Sequence, residues 1–206
     1  MPLQNRVVPQ GKIERSSARG TLMGNRGVLH NANKELKRSF KAKAWITCLL
    51  EFKGRKRKLM SPNAYTELFF LDEVTAFAAG HRPCAECRRG RFNEFRKAWM
   101  LGNQWEGSSA VRAPEMDDVL HAERLDDDKK VTWTGLVAGL PHGTMFEFDR
   151  RSFAVYDGDV LEWSFGGYSL ADRGNLPEQV DVLTPRSVVN VFATGFRPEF
   201  HSSATT

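Results

Sequence analysis

Apolar and polar positions along the chain alternate in short blocks, which predicts many short strands and few helices. WITCLLEF at 45–52 is β-branched, aromatic and apolar, and reads as a strand. KGRK then turns, and RKLM returns as a second strand. YTELFFL at 65–71 predicts a further strand. Asp72 follows as an N-cap, EVTAFAAG reads as a short helix stopped by Gly80, and Arg82-Pro83 prevents its continuation. Phe92, Phe95 and Trp99 recur at i, i+3 and i+7, one face of a second helix. Arg88, Arg89, Arg91, Arg96 and Lys97 interleave with that stripe, which places basic side chains on the outside of the helix.

Little periodic apolar pattern precedes Trp45, so residues 1–43 read as a polar, loop-rich arm. Residues 101–130 read as irregular and acidic. Beyond them VTWTGLVAGL predicts a strand. TMFEF, SFAVY and VLEWS predict a three-stranded meander with a tight turn at Asp157-Gly158. VDVLT at 180–184 is a strand, and 187–194 a short helix. The fold class expected is therefore α+β and β-rich, with a zinc-knuckle-containing N-terminal half and a C-terminal β-meander. The expected division is a basic half at 1–100 and an acidic half at 101–206, packed as one compact unit.

One passage returns. LFFLDEVTAFAAGHRP at 68–83 aligns with LTPRSVVNVFATGFRP at 183–198, matching at Leu68/Leu183, Val74/Val189, Phe77/Phe192, Gly80/Gly195 and Arg82-Pro83/Arg197-Pro198. Each copy reads strand, cap, short helix, Gly stop, then x-Arg-Pro. Two readings are open: a duplication in which only one copy carries cysteines, and convergence on a good way to end a helix.

The chain has 206 residues, 41% of them hydrophobic, which suits a globular core. No run approaches the ~20 apolar residues of a membrane span, and the N-terminus has no apolar segment of the secretory type. Three cysteines is an odd number for a disulfide framework, so reduced thiols in the cytoplasm are expected. Net charge is +5 but unevenly placed. Residues 1–100 carry 21 Lys and Arg against 8 Asp and Glu, and residues 101–206 carry 9 against 17. That asymmetry suggests a basic face for a polyanion, although two halves attracting each other would show the same pattern.

Cys84 and Cys87 are spaced Cys-x-x-Cys in AAGHRPCAECRRG. Zn2+ is the natural partner of paired thiolates in a reducing compartment, each sulfur reaching the ion at about 2.3 Å. A redox pair or inert thiols are the competing readings. Cys48 is the remaining cysteine and completes a three-thiol set, unless it is a small apolar strand residue. His81 is the first candidate for a fourth ligand, with His30 and His121 as rivals. The stretch DEVTAFAAGHRPCAECRR resembles the metal-binding domain of the Ada-type DNA methylphosphotriester repair proteins. In that family two cysteines so placed ligate zinc beside an upstream Cys-x-x-x-Cys pair, one member of which accepts a methyl group. The resemblance implies that Cys84 and Cys87 are zinc ligands. Upstream, however, only Cys48 is present, and Phe52 stands where the pair would need its second cysteine.

DDVLHAERLDDD at 117–128 offers a second constellation. On a strand, His121 and Glu123 would share a face and could serve acid–base or Mg2+-dependent nuclease chemistry; a solvated acidic loop is the alternative. Lys53, Arg55, Lys56, Arg57 and Lys58 at a hairpin tip, with Arg88, Arg89 and Arg91, have the charge and reach for phosphate contacts. Trp45, Trp99, Trp133 and Trp163 could stack on bases, though their patterns favour the core. The function expected is a zinc-binding protein that binds nucleic acid, DNA ahead of RNA. A metal-dependent nuclease, an alkyl-transfer enzyme and a protein-interaction module are the alternatives.

Overall fold

A computed structural model describes residues 1–55 and 58–205. The first sheet has six strands: β1 (Gln4–Val7), β2 (Ile13–Arg15), β3 (Leu22–Asn25), β4 (Ile46–Cys48), β5 (Leu68–Phe70) and β6 (Arg82–Pro83), in the order β2-β1-β5-β3-β4-β6. It is mixed: β1 runs parallel to β5, and β4 parallel to β6. The arm expected at 1–43 is thus partly sheet. Its strands are three or four residues long and gain stability from non-local partners, so they leave little local pattern. The N-terminal half is a sheet carrying cysteines rather than a small knuckle. The strand expected over 45–52 is only three residues long, and Leu49 and Leu50 beyond it are exposed. No strand forms at 58–60; Arg57, where RKLM begins, lies outside the described residues.

Helix α1 (Glu73–Ala78) begins where the sequence places it, at Asp72, whose carboxylate accepts from Thr75 N at 2.8 Å. All six of its residues are buried. It lies between two cores. Ala76 and Ala79 pack with Leu22, Leu68 and Phe70 of the first sheet. Val74 and Ala78 pack with Met145, Ala154 and Leu161 of the second. Helix α2 (Arg89–Gly102) buries the predicted Phe92, Phe95 and Trp99.

The acidic segment is not irregular. It contains α3 (Ala113–Arg124) and a small hairpin, β7 (Leu125–Asp126) with β8 (Lys129–Lys130). Glu115 accepts from the Arg112 backbone N–H at 2.7 Å, and Met116 and Leu120 form the buried stripe. The second sheet holds β9 (Trp133–Leu136), β10 (Met145–Phe148), β11 (Arg151–Tyr156), β12 (Asp159–Ser164), β13 (Gly167–Leu170) and β14 (Gln179–Val182). It is open and antiparallel, in the order β13-β12-β11-β10-β14-β9. The three strands expected as a meander are β10, β11 and β12, but β14 and β9 join the β10 edge out of chain order. Helix α4 (Arg186–Ala193) closes a helical core with α2 and α3 around Phe77, Phe95, Met116, Leu120 and Val191.

Candidate metal centre

Cys48 ends β4. The parallel pairing of β4 with β6 sets Thr47 opposite Pro83, and Cys84 N donates to Thr47 O at 2.9 Å. That bond delivers Cys84 to Cys48. The chain then turns so that Arg88 N donates to Cys84 O, which brings Cys87 back to the same point. The sulfurs of Cys48, Cys84 and Cys87 lie within 4.8 Å of one another. Cys48 and Cys84 are buried and Cys87 is partly open.

The turn that aims Cys84 is built at the end of α1. Gly80 has φ +83°, its N–H donates to Phe77 O, and His81 N donates to Ala76 O at 2.9 Å. Those two bonds make a Schellman ending, which an L side chain at position 80 would strain. A Cβ there would also lie 2.6 Å from Arg124 Cδ.

The donor set suits a soft or borderline cation. Tetrahedral zinc with Zn–S near 2.3 Å needs sulfurs about 3.8 Å apart, which the observed spacing admits. Backbone N–H groups support negative sulfur: Glu86 N donates to Cys84 Sγ at 3.4 Å, and Leu49 N bonds to Cys87. Without a cation the three thiols compete. A hydrogen bond from Cys48 pulls Cys84 down to about 5, while that bond and burial push Cys48 far up, and burial raises Cys87. One negative sulfur is stabilised at the cost of the other two, the situation a divalent ion resolves.

The three-thiol group is not a Cys-x-x-Cys motif. Its thiols come from positions 48, 84 and 87, on two separate segments that the sheet brings together.

His81 does not join it. The ring is fully buried, edge-on to Phe70 and beside Trp45. Its Nε2 accepts from Arg26 Nε at 3.2 Å, which leaves the proton of the neutral ring on Nδ1. Burial, with the charges of Arg26 and Arg124, holds the ring well below its usual pKa. Neither nitrogen has a lone pair to spare. His30 spends both nitrogens, Nδ1 on Thr66 Oγ1 at 2.6 Å and Nε2 on Ser61 O at 3.2 Å. His121 lies edge-on to Phe40. His121 and Glu123 sit on helix α3 rather than on a strand, so a two-residue spacing turns them apart. Glu123 instead accepts from Ser187 N and Oγ at the start of α4.

Two of the expected basic-face residues point inward. Arg88 is buried, bonded to Glu73 at 2.7 Å and to Thr47 Oγ1 at 3.0 Å. Arg91 grips the same carboxylate, with Nη2 2.6 Å from Glu73 Oε2. Both tie the start of α2 to α1, and Arg88 also reaches β4 beside the cysteines. Lys53, Arg55, Lys58 and Arg89 are exposed, with Arg55 paired to Glu86 at 2.8 Å; Lys56 and Arg57 lie outside the described residues. The tryptophans are engaged in the fold: Trp45 and Trp99 are buried, Trp133 Nε1 donates to Thr184 O, and Trp163 Nε1 to Thr75 Oγ1.

Sequence reasoning passed over Glu73 and Asp117, the buried counter-ions of Arg88, Arg91 and Arg82. Glu73 reads as an ordinary acid in a first helical turn. Only the all-round apolar character of VTAFA hints that this turn is interior.

No family model, curated protein or solved structure matches the chain. The Ada-type assignment therefore has no support from these comparisons, and what stands is a three-cysteine group able to hold a metal. Among the described residues no helix is long and apolar enough to cross a membrane.

Proposed function

We propose that the protein holds zinc on Cys48, Cys84 and Cys87 and binds nucleic acid through its basic N-terminal half. The observation that carries the metal reading is the convergence of three sulfurs within 4.8 Å from two segments. Thiolates select zinc over hard cations. Bound there, zinc would keep the three sulfurs deprotonated and tie β4 to the entrance of α2. No fourth protein ligand accompanies the group among the described residues. A small cleft of about 150 Å3 reaches Cys87 between Leu49, Leu50, Phe52 and Leu59.

Support for the nucleic-acid reading is electrostatic. The first 100 residues carry 13 more cationic than anionic side chains. Lys53, Arg55, Lys58 and Arg89 stand exposed on this half. DNA is the first partner to test.

Elemental analysis of the purified protein beside Cys84→Ser tests the metal: one zinc per chain that vanishes in the variant is expected, and no metal in either protein refutes it. Titration with duplex and single-stranded DNA tests the partner. Affinity should fall steeply as salt rises, and undetectable or salt-independent binding rejects the reading.

One observation favours a second reading, thiolate alkyl transfer. The cleft reaches Cys87, while Cys48 is buried. Zinc-bound thiolates are nucleophiles, so the acceptor would be Cys87 rather than Cys48. Mass spectrometry after exposure to a methyl donor should place any adduct on Cys87; no adduct at any cysteine removes this alternative.

A further inference from the structure

Away from the cysteines, five segments meet and bring three cations together: Arg26, Arg124 and the partly buried Lys130. Arg26 follows β3, Trp45 precedes β4, His81 follows Gly80, Arg124 ends α3 and Lys130 ends the β7–β8 hairpin. Arg26 and Arg124 are 1% and 0% exposed. Both guanidinium carbons lie over the Trp45 ring, 3.7 Å and 4.1 Å from its centroid.

Among the described residues these cations have no carboxylate in hydrogen-bond or ion-pair contact, although the charge of Asp117 acts on Arg124. Arg26 Nη1 donates to Gly11 O, Arg124 Nη1 to Gly80 O and Nη2 to Lys43 O, and Lys130 Nζ to Ala78 O at 2.6 Å. The nearby buried carboxylate, Asp117, is committed in bidentate fashion to Arg82 at 2.8 Å and 2.7 Å. Burying charge without a counter-charge is costly. The strain shows in the groups themselves: burial, then the neighbouring cations, bring Lys130 down to about 7, and burial brings Arg124 down to about 9.

Donors are also left over. Arg26 Nη2, Arg124 Nε, Trp45 Nε1 and His81 Nδ1 are buried with no acceptor among the described residues. Arg26, Trp45 and Lys130 line a cleft of about 500 Å3, a volume typical of small-molecule sites. Its rim is mixed but mainly basic, with Lys12, Lys37 and Arg38 against Glu14 and Asp128. Lys37 is paired with Glu35, and Asp128 accepts from Ser39 Oγ.

We propose that the floor of this cleft binds a phosphate group, held between the Arg26 guanidinium and the Lys130 ammonium. A phosphate monoester carries close to two negative charges at neutral pH. It therefore matches the two lining cations, Arg26 and Lys130, better than a single carboxylate does. The guanidinium fork supplies directed donors and the ammonium a point charge. Trp45 already lies under two guanidinium groups, so recognition rests on the phosphate rather than on a stacked base. The site is separate from the cysteines and stands whether or not they hold zinc.

Calorimetric titration of the full chain with inorganic phosphate, at ionic strength fixed with sodium chloride, tests it. Saturable binding is expected, weakened at least tenfold in Arg26→Gln and in Lys130→Gln and unchanged in Arg173→Gln on the second half. Should Arg26→Gln fail to fold, Lys130→Gln decides alone, since Lys130 ends a small hairpin and is only partly buried. Ribose 5-phosphate and a 5′-phosphorylated oligonucleotide, each beside its unphosphorylated form, then distinguish a small metabolite from a strand end; a phosphate-dependent gain in either supports the site. No saturable phosphate binding, or binding indifferent to both substitutions, overturns it.

Discussion

The two helix endings at 79–84 and 194–199 use nearly the same residues to opposite effect. Both helices stop at a glycine with positive φ, +83° at Gly80 and +95° at Gly195, followed by x-Arg-Pro. In the first, Arg82 is buried and locked on Asp117, and Arg82-Pro83 pairs as a strand with β4. The turn thereby becomes interior and delivers Cys84 to Cys48. In the second, Arg197 is exposed and pairs with Asp157 at the surface, and Glu199 stands where Cys84 would be. The second ending also leans on the start of α1. Glu73 N donates to Glu199 O, Glu199 N to Glu73 Oε2, and His201 N to Asp72 Oδ2 at 3.0 Å. A local ending rule thus fixes the direction of the chain, while burial and partners decide whether that direction makes a site.

The sharpest way to break the contrast is at the position after the proline. Cys84→Ser should lower the melting temperature by about 10 °C or more and make it indifferent to chelator, because metal binding is folding energy. Glu199→Ser should shift it by only a few degrees, its exposed carboxylate lying at 3.6 Å from Arg88. Thermal melts with and without chelator read both. Equal shifts would mean that the cysteines add nothing to the turn.

The arginines come next. Side-chain exposure is 5% and 6% for Arg82 and Asp117, against 57% and 51% for Arg197 and Asp157. Asp117→Asn should cost about 3–5 kcal/mol, since it strands a buried guanidinium. Asp157→Asn should cost about 0–1 kcal/mol. Urea denaturation measures both, and comparable losses would contradict the assigned burial.

The glycines should differ least. Gly195→Ala meets no atom within 4 Å and pays only for its left-handed φ, about 1–2 kcal/mol. Gly80→Ala adds contacts at 2.6 Å and 2.8 Å with the Arg124 side chain, so its loss in the same urea assay should exceed that of Gly195→Ala.

Much of this architecture is legible locally. Asp72, Gly80 and the Phe92/Phe95/Trp99 stripe specify their helices by capping and periodicity, and TMFEF, SFAVY and VLEWS specify their strands by alternation. The sequence does not display what lies far along the chain. β1 and β3 are held by β5, and β3 even needs Gly24, where a Cβ would lie 2.2 Å from Ile46 O. Helix α3 was hidden because its acids mask a stripe of only Met116 and Leu120. Its opening signal is Pro114 with Glu115. For the site, Cys84 and Cys87 stand out by spacing, and Cys48 only as the remaining thiol. His81 looks like a ligand until Arg26, far upstream, takes its Nε2. Arg88 and Arg91 look like a surface until Glu73 turns them inward.

The clasp of Glu199 and His201 on Asp72 and Glu73 has a consequence for the order of assembly. A chain emerging from the ribosome has made β1 to β6 and all three cysteines long before residue 199 appears. Until then the N–H of Glu73 and one oxygen of Asp72 lack their final partners, at the helix whose carboxylate braces Arg88 beside the thiols. The first half can gather its strands early, but its inner wall is finished only when residues 199–201 arrive.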